Sequence, residues 1–543
     1  MKKLLFLLPV IILTFSCSKK EKADLIISNA TIYTVDNEFT KAEAAAIKDG
    51  KFIAVGSSKD IQQQFSSKNE KDLKGKFVYP GFIDAHCHFY GYSMNLRKVD
   101  LVGTQSVEEI IERLKEYKEE YDPEWILGRG WDQNDWEVKE FPHKKELDEV
   151  FPETPVYLTR VDGHAAYVNS AALKEAGISK AENIEGGKIH EKAGEPTGIL
   201  IDNAMNLVSK NIPNPTKEEK INAIKQGEDN CFQVGLTMVA DAGLGYSEVQ
   251  LLDSLQKEDL IKMNIYAMLS PTRENIDIFV KQGAYKTEKM HIKSIKLFAD
   301  GALGSRGACL LEPYSDDPDN YGLIVTDTDS LEEFCQLAYE NNYQVNTHAI
   351  GDSANRLMLN IYGNILDGEN ERRWRIEHAQ IIHPEDFKLF GKHSIIPAIN
   401  TTHATSDMPW AEERLGEERL KNGYAYKKLL KENGWLPNGS DFPVEHINPL
   451  YGFYAGVARK DLEGYPEDGF QKENALSRKE ALKAMTIWAA KSCFQENERG
   501  SIQKGKEADF VVTEHDIMEM EEEKIPDTKV METYIQGTKV YGQ

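Results

Sequence analysis

His86 and His88 are the first residues in this sequence whose type and spacing suit a chemical role. They close an apolar segment that begins at Phe82. In a β-strand, residues two apart face the same side, so both imidazoles point together while Cys87 points away. Paired imidazoles suit zinc and similar divalent metals. Because a His-x-His pair also occurs as ordinary surface sequence, it indicates a metal site only when further ligands accompany it.

Other ligand-type side chains end later apolar segments in the same way. His348, His378 and Asp441 each follow such a segment, and Lys296 lies within the apolar run 295–298, where a lysine is unusual in a core. If these segments are parallel strands of one barrel, their carboxyl ends meet at one face, where barrel enzymes keep their active sites. The alternative is an independent structural role for each residue.

The middle of the chain repeats a short apolar strand, a polar loop and an amphipathic helix, a pattern typical of a parallel sheet. Eight such units favour an α/β fold of the (β/α)8 barrel type, and an open doubly wound sheet is the alternative. The predicted strands are Phe82–His88, Leu236–Ala242, Ile265–Leu269, Ile295–Ala299, Gln344–His348, Arg375–Ala379, Ser394–Ile399 and Trp435–Ser440.

Two further regions flank or interrupt this barrel, which we assign to residues 78–499. Alternating and β-branched segments in 24–77 and 500–543 predict a composite β-sandwich built from both termini, since chain ends commonly lie close together. The gap after the first barrel strand is too long for a single crossover. It predicts an inserted subdomain at 122–202 that covers the barrel mouth, preceded by a helix at 107–121.

The N-terminus predicts export. Lys2 and Lys3 precede an apolar stretch from Leu4 to Phe15, and Ser16-Cys17 follows, so residues 1–17 have the pattern of a lipoprotein-type signal peptide. A lipid on Cys17 would make the membrane contact of a protein anchored in the cell envelope, on the periplasmic side or at the cell surface. A cleaved signal that happens to contain a cysteine is the alternative.

Cys17→Ala tests the anchor. We expect the unaltered protein to fractionate with membranes, and the variant to be soluble or unprocessed, because the site of acylation is lost. Immunoblotting of membrane and soluble fractions measures this difference. Identical partitioning of the two proteins would contradict the anchor.

The net charge of the chain indicates which kinds of partner it can bind. Of the 543 residues, 65 are Lys or Arg and 89 are Asp or Glu, which gives a formal net charge of −24. Such a surface repels phosphate backbones, so we expect a small-molecule substrate and no nucleic acid. The remaining cysteines have no paired spacing that indicates a disulfide framework or a zinc knuckle. The oligomeric state is left open.

Several long motifs occur in a fixed order along nearly the whole chain. PGFIDAHCH, SIKLFADGALGSR, HAIGD, RIEHAQ and GSDFPV resemble motifs of the metal-dependent amidohydrolase superfamily, in particular its amidohydrolase family 3 branch, which includes N-substituted formamide deformylases. One departure follows the seventh predicted strand. Where the family often has Gln-Pro before its His-Ala-Thr-Ser-Asp segment, residues 400–403 read Asn-Thr-Thr-His, a difference that bears on substrate contacts there and not on the metal site.

The resemblance implies a site with one or two zinc ions, although iron or manganese fits the same ligands. Lys296 would be N6-carboxylated and bridge two metals; alternatively, it stays an amine paired with Asp300 beside a single metal. Asp441 would be catalytic as well as a ligand, and His164, Asp300 and Arg306 are candidate substrate contacts. The implied metal ligands are His86, His88, Lys296, His348, His378 and Asp441.

The implied reaction is hydrolysis of a non-peptide carbon–nitrogen bond, an amide of a small molecule, by metal-activated water. Ester or lactone hydrolysis and deamination are alternatives on the same site. An alternative function of a different class is that of a non-catalytic surface lipoprotein that binds a ligand. The six intact ligand positions favour an enzyme.

Overall fold

The computed structural model describes residues 20–160, 165–181, 183–184 and 187–542. The predicted signal peptide at 1–17, with Cys17, lies outside these ranges, and so does His164. Their predicted roles therefore stay predictions. Within the described ranges, no helix is long and apolar enough to cross a membrane.

The centre of the fold is an α/β barrel of parallel strands, as predicted. Seven strands pair in chain order, and nearly every residue in them is buried. They are Phe82–Cys87, Leu236–Leu244, Asn264–Leu269, Met290–Phe298, Gln344–Ala349, Arg375–His378 and Ile396–Ala398. A short strand, Tyr285–Lys286, pairs antiparallel with the fourth of these strands.

The eighth predicted strand, Trp435–Ser440, is wrong as a regular strand. Asn438 forms a single parallel bridge to Ile399. Its carbonyl accepts a hydrogen bond from the N–H of Ala85 at 3.2 Å. Pro437 has no N–H to donate, and a Cβ at Gly439 would lie 2.4 Å from the backbone nitrogen of His86. The segment therefore fills the gap between strands seven and one, without a regular ladder.

Helices follow most strands and cover the outside of the barrel. Their starts carry expected capping residues: the Thr216 side chain and Glu219 form a capping box, and Asp327 accepts a hydrogen bond from the N–H of Ser330. The helices are Phe89–Asn95, Lys217–Gln233, Tyr246–Lys257, Arg273–Asn275, Thr328–Glu340, Asp352–Leu366, Phe387–Lys392, Thr401–Leu420, Tyr426–Asn433, Pro449–Ala458, Arg478–Ala484 and Ile487–Ser492, with a π-helical turn at Ile276–Val280.

Residues from both ends of the chain form two sheets with a shared apolar core. Because Phe510–Thr513 pairs with Phe77–Pro80, the two ends meet within one sheet. One sheet has the order Lys51–Gly56, Ala44–Lys48, Leu25–Ser28 and Glu70–Asp72, with the helix Ser58–Gln64 nearby. The other has the order Thr538–Tyr541, Val530–Ile535, Phe510–Thr513, Phe77–Pro80, Thr31–Tyr33 and Lys41–Ala42.

A further mixed sheet follows the first barrel strand. It includes Val99–Asp100, ahead of the predicted start of the insertion at 122, and the helix Val107–Tyr121 packs on it with the bounds predicted from sequence. The strands, in sheet order, are Val99–Asp100, Ile126–Trp131, Val156–Arg160, Ala165–Val168, Glu195–Asp202, Gly187–Lys192 and Asn183–Ile184. The accompanying helices are Lys144–Val150, Ser170–Glu175 and Met205–Ser209.

Candidate metal centre at the barrel mouth

The first barrel strand brings both histidines of the His-x-His pair to Asp441. The Nε2 atoms of His86 and His88 lie 3.5 and 3.3 Å from Oδ1 of Asp441. One ligand atom from each of the three residues lies within 4.8 Å of the others. Nδ1 of His88 lies 2.9 Å from the carbonyl oxygen of Ala242. If Nδ1–H donates there, the Nε2 lone pair is left to face the site.

Behind His86, a buried ion pair orients the ring. Nδ1 of His86 contacts Oε2 of Glu377, and Arg375 contacts the same carboxylate through Nη2 at 2.8 Å. Burial opposes ionisation of Glu377, but Arg375 and His86 outweigh it and lower its pKa to about 2. The ionised carboxylate holds the His86 proton on Nδ1, so Nε2 is free to bind a metal.

The fifth and sixth strands add His348 and His378. Their ring centroids are 4.5 Å apart, and the His378 ring is 5.1 Å from that of His86. Burial, followed by the nearby Lys296 charge, lowers the pKa of His348 to about 3. Nδ1 of His378 lies 2.9 Å from Oδ1 of Asn400, which fixes that ring. Neutral imidazoles are the form that binds metal ions.

Lys296 lies inside the barrel, as the sequence predicts. It is 1% exposed, and its Nζ is 3.2 Å from Nε2 of His86. Burial lowers the pKa of its amine to about 8. The alternative pairing with Asp300 is wrong: the Asp300 carboxylate accepts hydrogen bonds from the backbone N–H groups of Cys309, Ile350 and Gly351, at 2.8, 3.0 and 2.8 Å.

The contacts and the charge of Asp441 indicate whether a cation fits this site. Its Oδ1 is buried and makes no hydrogen bond to any described residue, although two imidazole nitrogens face it. Burial opposes its ionisation, but His88, His86, His378 and His403 hold its pKa well below the ordinary value. An ionised carboxylate oxygen that faces imidazole nitrogens suits a divalent metal of the zinc type.

Two of the candidate substrate contacts, Asp300 and Arg306, are bonded to other groups of the protein. Asp300 holds the backbone of the loops after strands four and five, and its Oδ1 is 3.7 Å from Nε2 of His348. Arg306 pairs with Asp316 at 2.8 Å, and that carboxylate also contacts Arg414. Contacts with substrate by Asp300 and Arg306 therefore stay predictions, as does the role of His164.

Sequence reasoning missed two residues at this site. The His403 ring stacks 5.7 Å from that of His378, and its Nε2 is 3.9 Å from Oδ2 of Asp441. Phe298, at the end of strand four, lies 5.6 Å from the His348 ring. The signal available for His403 is the Asn-Thr-Thr that precedes it, where the family often has Gln-Pro. Phe298 looked like one more apolar strand residue.

Comparison with known proteins agrees with this geometry. A profile of the amidohydrolase family, Amidohydro_3, matches residues 69–541. The chain is 34% identical to Protein LONG AFTER FAR-RED 3 of Arabidopsis thaliana, over 96% of this chain and 92% of that protein. It is 32% identical to the putative amidohydrolase YtcJ of Bacillus subtilis, over 94% and 98%.

Two further matches concern activity and fold. The N-substituted formamide deformylase of Arthrobacter pascens is 25% identical, over 95% of this chain and 98% of that enzyme. The crystal structure of an uncharacterized metal-dependent hydrolase from Pyrococcus horikoshii superposes with a TM-score of 0.78 and 29% identity, covering 92% of this chain and 99% of that one.

Proposed function

The chain belongs to the amidohydrolase family and is a metal-dependent hydrolase, and we propose that it cleaves a non-peptide carbon–nitrogen bond in a small amide. The observation that carries the proposal is the buried Oδ1 of Asp441, which lies 3.5 and 3.3 Å from the Nε2 atoms of His86 and His88 and makes no hydrogen bond to a described residue. The similarity to a formamide deformylase favours an amide over an ester.

In the proposed reaction, the histidines would bind the metal and Asp441 would transfer the proton. A bound divalent metal, zinc by default, would activate water and polarise the scissile carbonyl. His86, His88, His348 and His378 would hold it as neutral imidazoles. Asp441 stays ionised, so it can accept the proton of the attacking water and pass it to the leaving nitrogen.

We also propose that Lys296 is carboxylated. Its neutral amine nitrogen would attack carbon dioxide, a new N–C bond would form, and one amine proton would be released, leaving a carbamate with two oxygens for two cations. Burial supports this step, because it lowers the pKa of Lys296 to about 8 and favours the neutral amine.

Carbon-13 NMR with labelled bicarbonate tests the carbamate. The neutral fraction of Lys296 grows as pH rises through about 8. At a fixed concentration of dissolved carbon dioxide, we therefore expect labelling to be at least about tenfold faster at pH 8.5 than at pH 6.5. Lys296→Arg is the control and should give no carbamate signal. An equal signal in that variant, or none in the unaltered protein with metal and bicarbonate present, would exclude the modification.

A substrate panel tests the reaction. We expect metal-loaded protein to hydrolyse at least one amide among N-substituted formamides and N-acyl amino acids, and chelation to abolish this turnover. Matched esters, lactones and aminopurines belong in the same assay. Turnover confined to those compounds would contradict the amide proposal and support its alternatives. Metal binding without turnover of any compound would favour the ligand-binding reading.

The cellular setting is also a proposal. A signal at 1–17 with lipid on Cys17 would place the barrel in the cell envelope, where it would act on small molecules arriving from outside. The basic and apolar residues of that segment support it.

A further inference from the structure

A cavity of about 420 Å3 lies where the terminal sheets meet the barrel. Its walls come from the loop after the strand Thr31–Tyr33, from the helix Ile487–Ser492 and from the segment 496–506. Just before that helix, the carbonyl of Met485 accepts a hydrogen bond from the N–H of Ile83 at 2.9 Å. Ile83 is near the start of the first barrel strand, whereas the two histidines of the candidate metal centre come at its end. The cavity therefore lies on the side of the strand starts, away from that centre.

Three lysines line this cavity, and none of them forms an ion pair with a carboxylate of the described residues. Lys506 is the most buried of them, with 9% of the residue exposed. Its Nζ contacts two uncharged groups, the Oγ of Ser501 at 2.5 Å and the carbonyl oxygen of Arg499 at 3.3 Å. These contacts satisfy hydrogen bonds of the ammonium group but do not neutralise its charge.

The other two lysines, Lys483 and Lys491, lie against aromatic rings. The Nζ of Lys483 is 5.7 Å from the ring centroid of Trp488, and that of Lys491 is 4.1 Å from the ring centroid of Trp435. The face of a ring attracts a cation but carries no net charge. The charge of these two lysines therefore also lacks a partner of opposite sign in direct contact.

The two carboxylates at the cavity are bonded to other groups. Both oxygens of Asp36 accept hydrogen bonds from Thr40, one from its N–H at 2.9 Å and one from its hydroxyl at 2.8 Å. Both oxygens of Glu496 accept from the guanidinium of Arg373, at 2.7 and 3.0 Å. These carboxylates attract the lysines only from a distance.

Burial acts against the positive charge of this cavity. It lowers the pKa of Lys483, Lys491 and Lys506, and brings that of Lys506 to about 8. Removing an ammonium group from water costs free energy, which a counter-ion in contact with it recovers. Unpaired cations are unexpected in a chain with a formal net charge of −24. They indicate that the counter-ion comes from outside the protein.

The lining favours a phosphate group as this counter-ion. Lysine ammonium groups are point charges with rotatable donors, which suit a phosphate approached from several sides, whereas planar carboxylates favour arginine. The hydroxyl of Ser501 is a further donor at the same place. The volume is that of a small-molecule site, and Ile487 and Trp488 supply an apolar wall. The surface charge still excludes long polyanions, but exposed charges are screened beyond about 8 Å at physiological salt.

We propose that this cavity binds a small organic phosphate, with the phosphate against Lys506 and Lys483 and the apolar part of the molecule against Trp488. The ligand is not the substrate, because the cavity lies away from the candidate metal centre. The proposal does not depend on the proposed amide hydrolysis. Since the walls come from both the terminal sheets and the barrel, the bound ligand would hold these two parts together.

Calorimetry with phenylphosphonate tests the proposal on the full-length, metal-loaded protein. This probe carries the dianion and a ring, and it has no ester bond to hydrolyse. We expect saturable binding of phenylphosphonate, weaker binding of inorganic phosphate and succinate, and no binding of neutral benzyl alcohol. Binding should also raise Tm, because the ligand stabilises only the folded state.

Variants locate the bound probe. Lys506→Gln should weaken phenylphosphonate at least about tenfold, because a buried, charge-assisted contact is lost. Lys483→Gln, at a partly exposed position, should weaken it about two- to fivefold. Trp488→Ala should remove the advantage over inorganic phosphate. The matched control is Lys504→Gln, because Lys504 is exposed on the same segment; it should bind the probe normally.

Lys483→Gln keeps the test decisive if Lys506→Gln does not fold, since Lys483 makes no hydrogen bond to a described residue. Equal affinity in the unaltered protein and in Lys483→Gln would overturn the proposal, as would the absence of saturable binding at millimolar concentrations. Tighter binding of succinate than of phenylphosphonate would reject a phosphate. Binding that chelation of the metal abolishes and that the lysine variants leave unchanged would assign the probe to the metal centre and reject this site.

Discussion

Asp441→Asn is expected to lower kcat/KM by about 10³- to 10⁴-fold, with the barrel still folded. The change keeps the size of the side chain but removes its charge. In the proposed function, the site then loses an ionised candidate ligand oxygen and the group that would accept and return a proton. The backbone N–H of residue 441, which donates to the carbonyl of His86 at 2.8 Å, is unaffected.

Steady-state kinetics with metal analysis and circular dichroism measures this outcome. The matched control is Asp259→Asn, whose carboxylate is 66% exposed and pairs with Lys262 and Lys289. We expect the control to keep full activity and full metal content. Normal turnover with full metal content in Asp441→Asn would remove Asp441 from the site.

Glu377→Gln is expected to destabilise the fold by about 3–5 kcal/mol and to weaken metal binding by about 10- to 100-fold. Arg375 and Glu377 are both fully buried and paired at 2.6 Å. Without the carboxylate, the Arg375 guanidinium is left as a buried, uncompensated charge, and Nδ1 of His86 loses its acceptor. Thermal unfolding and a competitive chelator titration measure the two effects separately.

A double variant separates these roles. In Arg375→Met with Glu377→Leu both charges are replaced by apolar groups, so we expect most of the lost stability to return while metal affinity stays low. Glu418→Gln is the control, because its partner Lys421 and the glutamate itself are exposed; it should change stability by less than about 1 kcal/mol. Unaltered metal affinity in Glu377→Gln would show that Glu377 does not orient His86.

The barrel could be predicted because each strand is a short apolar run followed by a polar loop. Seven of the eight predicted strands are confirmed. The eighth failed for a local reason: Pro437 and Gly439 interrupt the ladder, and Gly439 lies against the backbone of His86. Composition and hydropathy alone do not reveal such a close approach.

The candidate site could be predicted only in part, because strand alternation fails where the backbone leaves the β region. Alternation places Glu377 and His378 on opposite faces, yet both lie beside His86. His378 has a φ of 71°, in the left-handed region that non-glycine residues rarely adopt. Asp441 shares this conformation, with a φ of 63°. Such strain is typical of functional sites and is not visible in the sequence.

His403 was missed for a different reason. It lies on the first turn of a helix and not at a strand end, so no rule about barrel strands selects it. Its partners, His378 and Asp441, come from other segments, and their approach depends on how that helix packs. The sequence pointed to the segment only through the unusual Asn-Thr-Thr that precedes His403.

The segment that closes the barrel has a consequence for the order of folding. The backbone N–H of Ser440 donates to Asp84 across a separation of 356 residues, and that of Asp441 donates to the carbonyl of His86. We call this junction between the first strand and the closing segment the seam. Contacts so distant in sequence form late, because the entropy of closing the loop must be overcome first. The complete set of candidate metal ligands therefore comes together only after the two ends of the barrel have joined. A metal bound there would hold the first and last segments together, so its removal should raise hydrogen exchange at this seam before the remaining strands open.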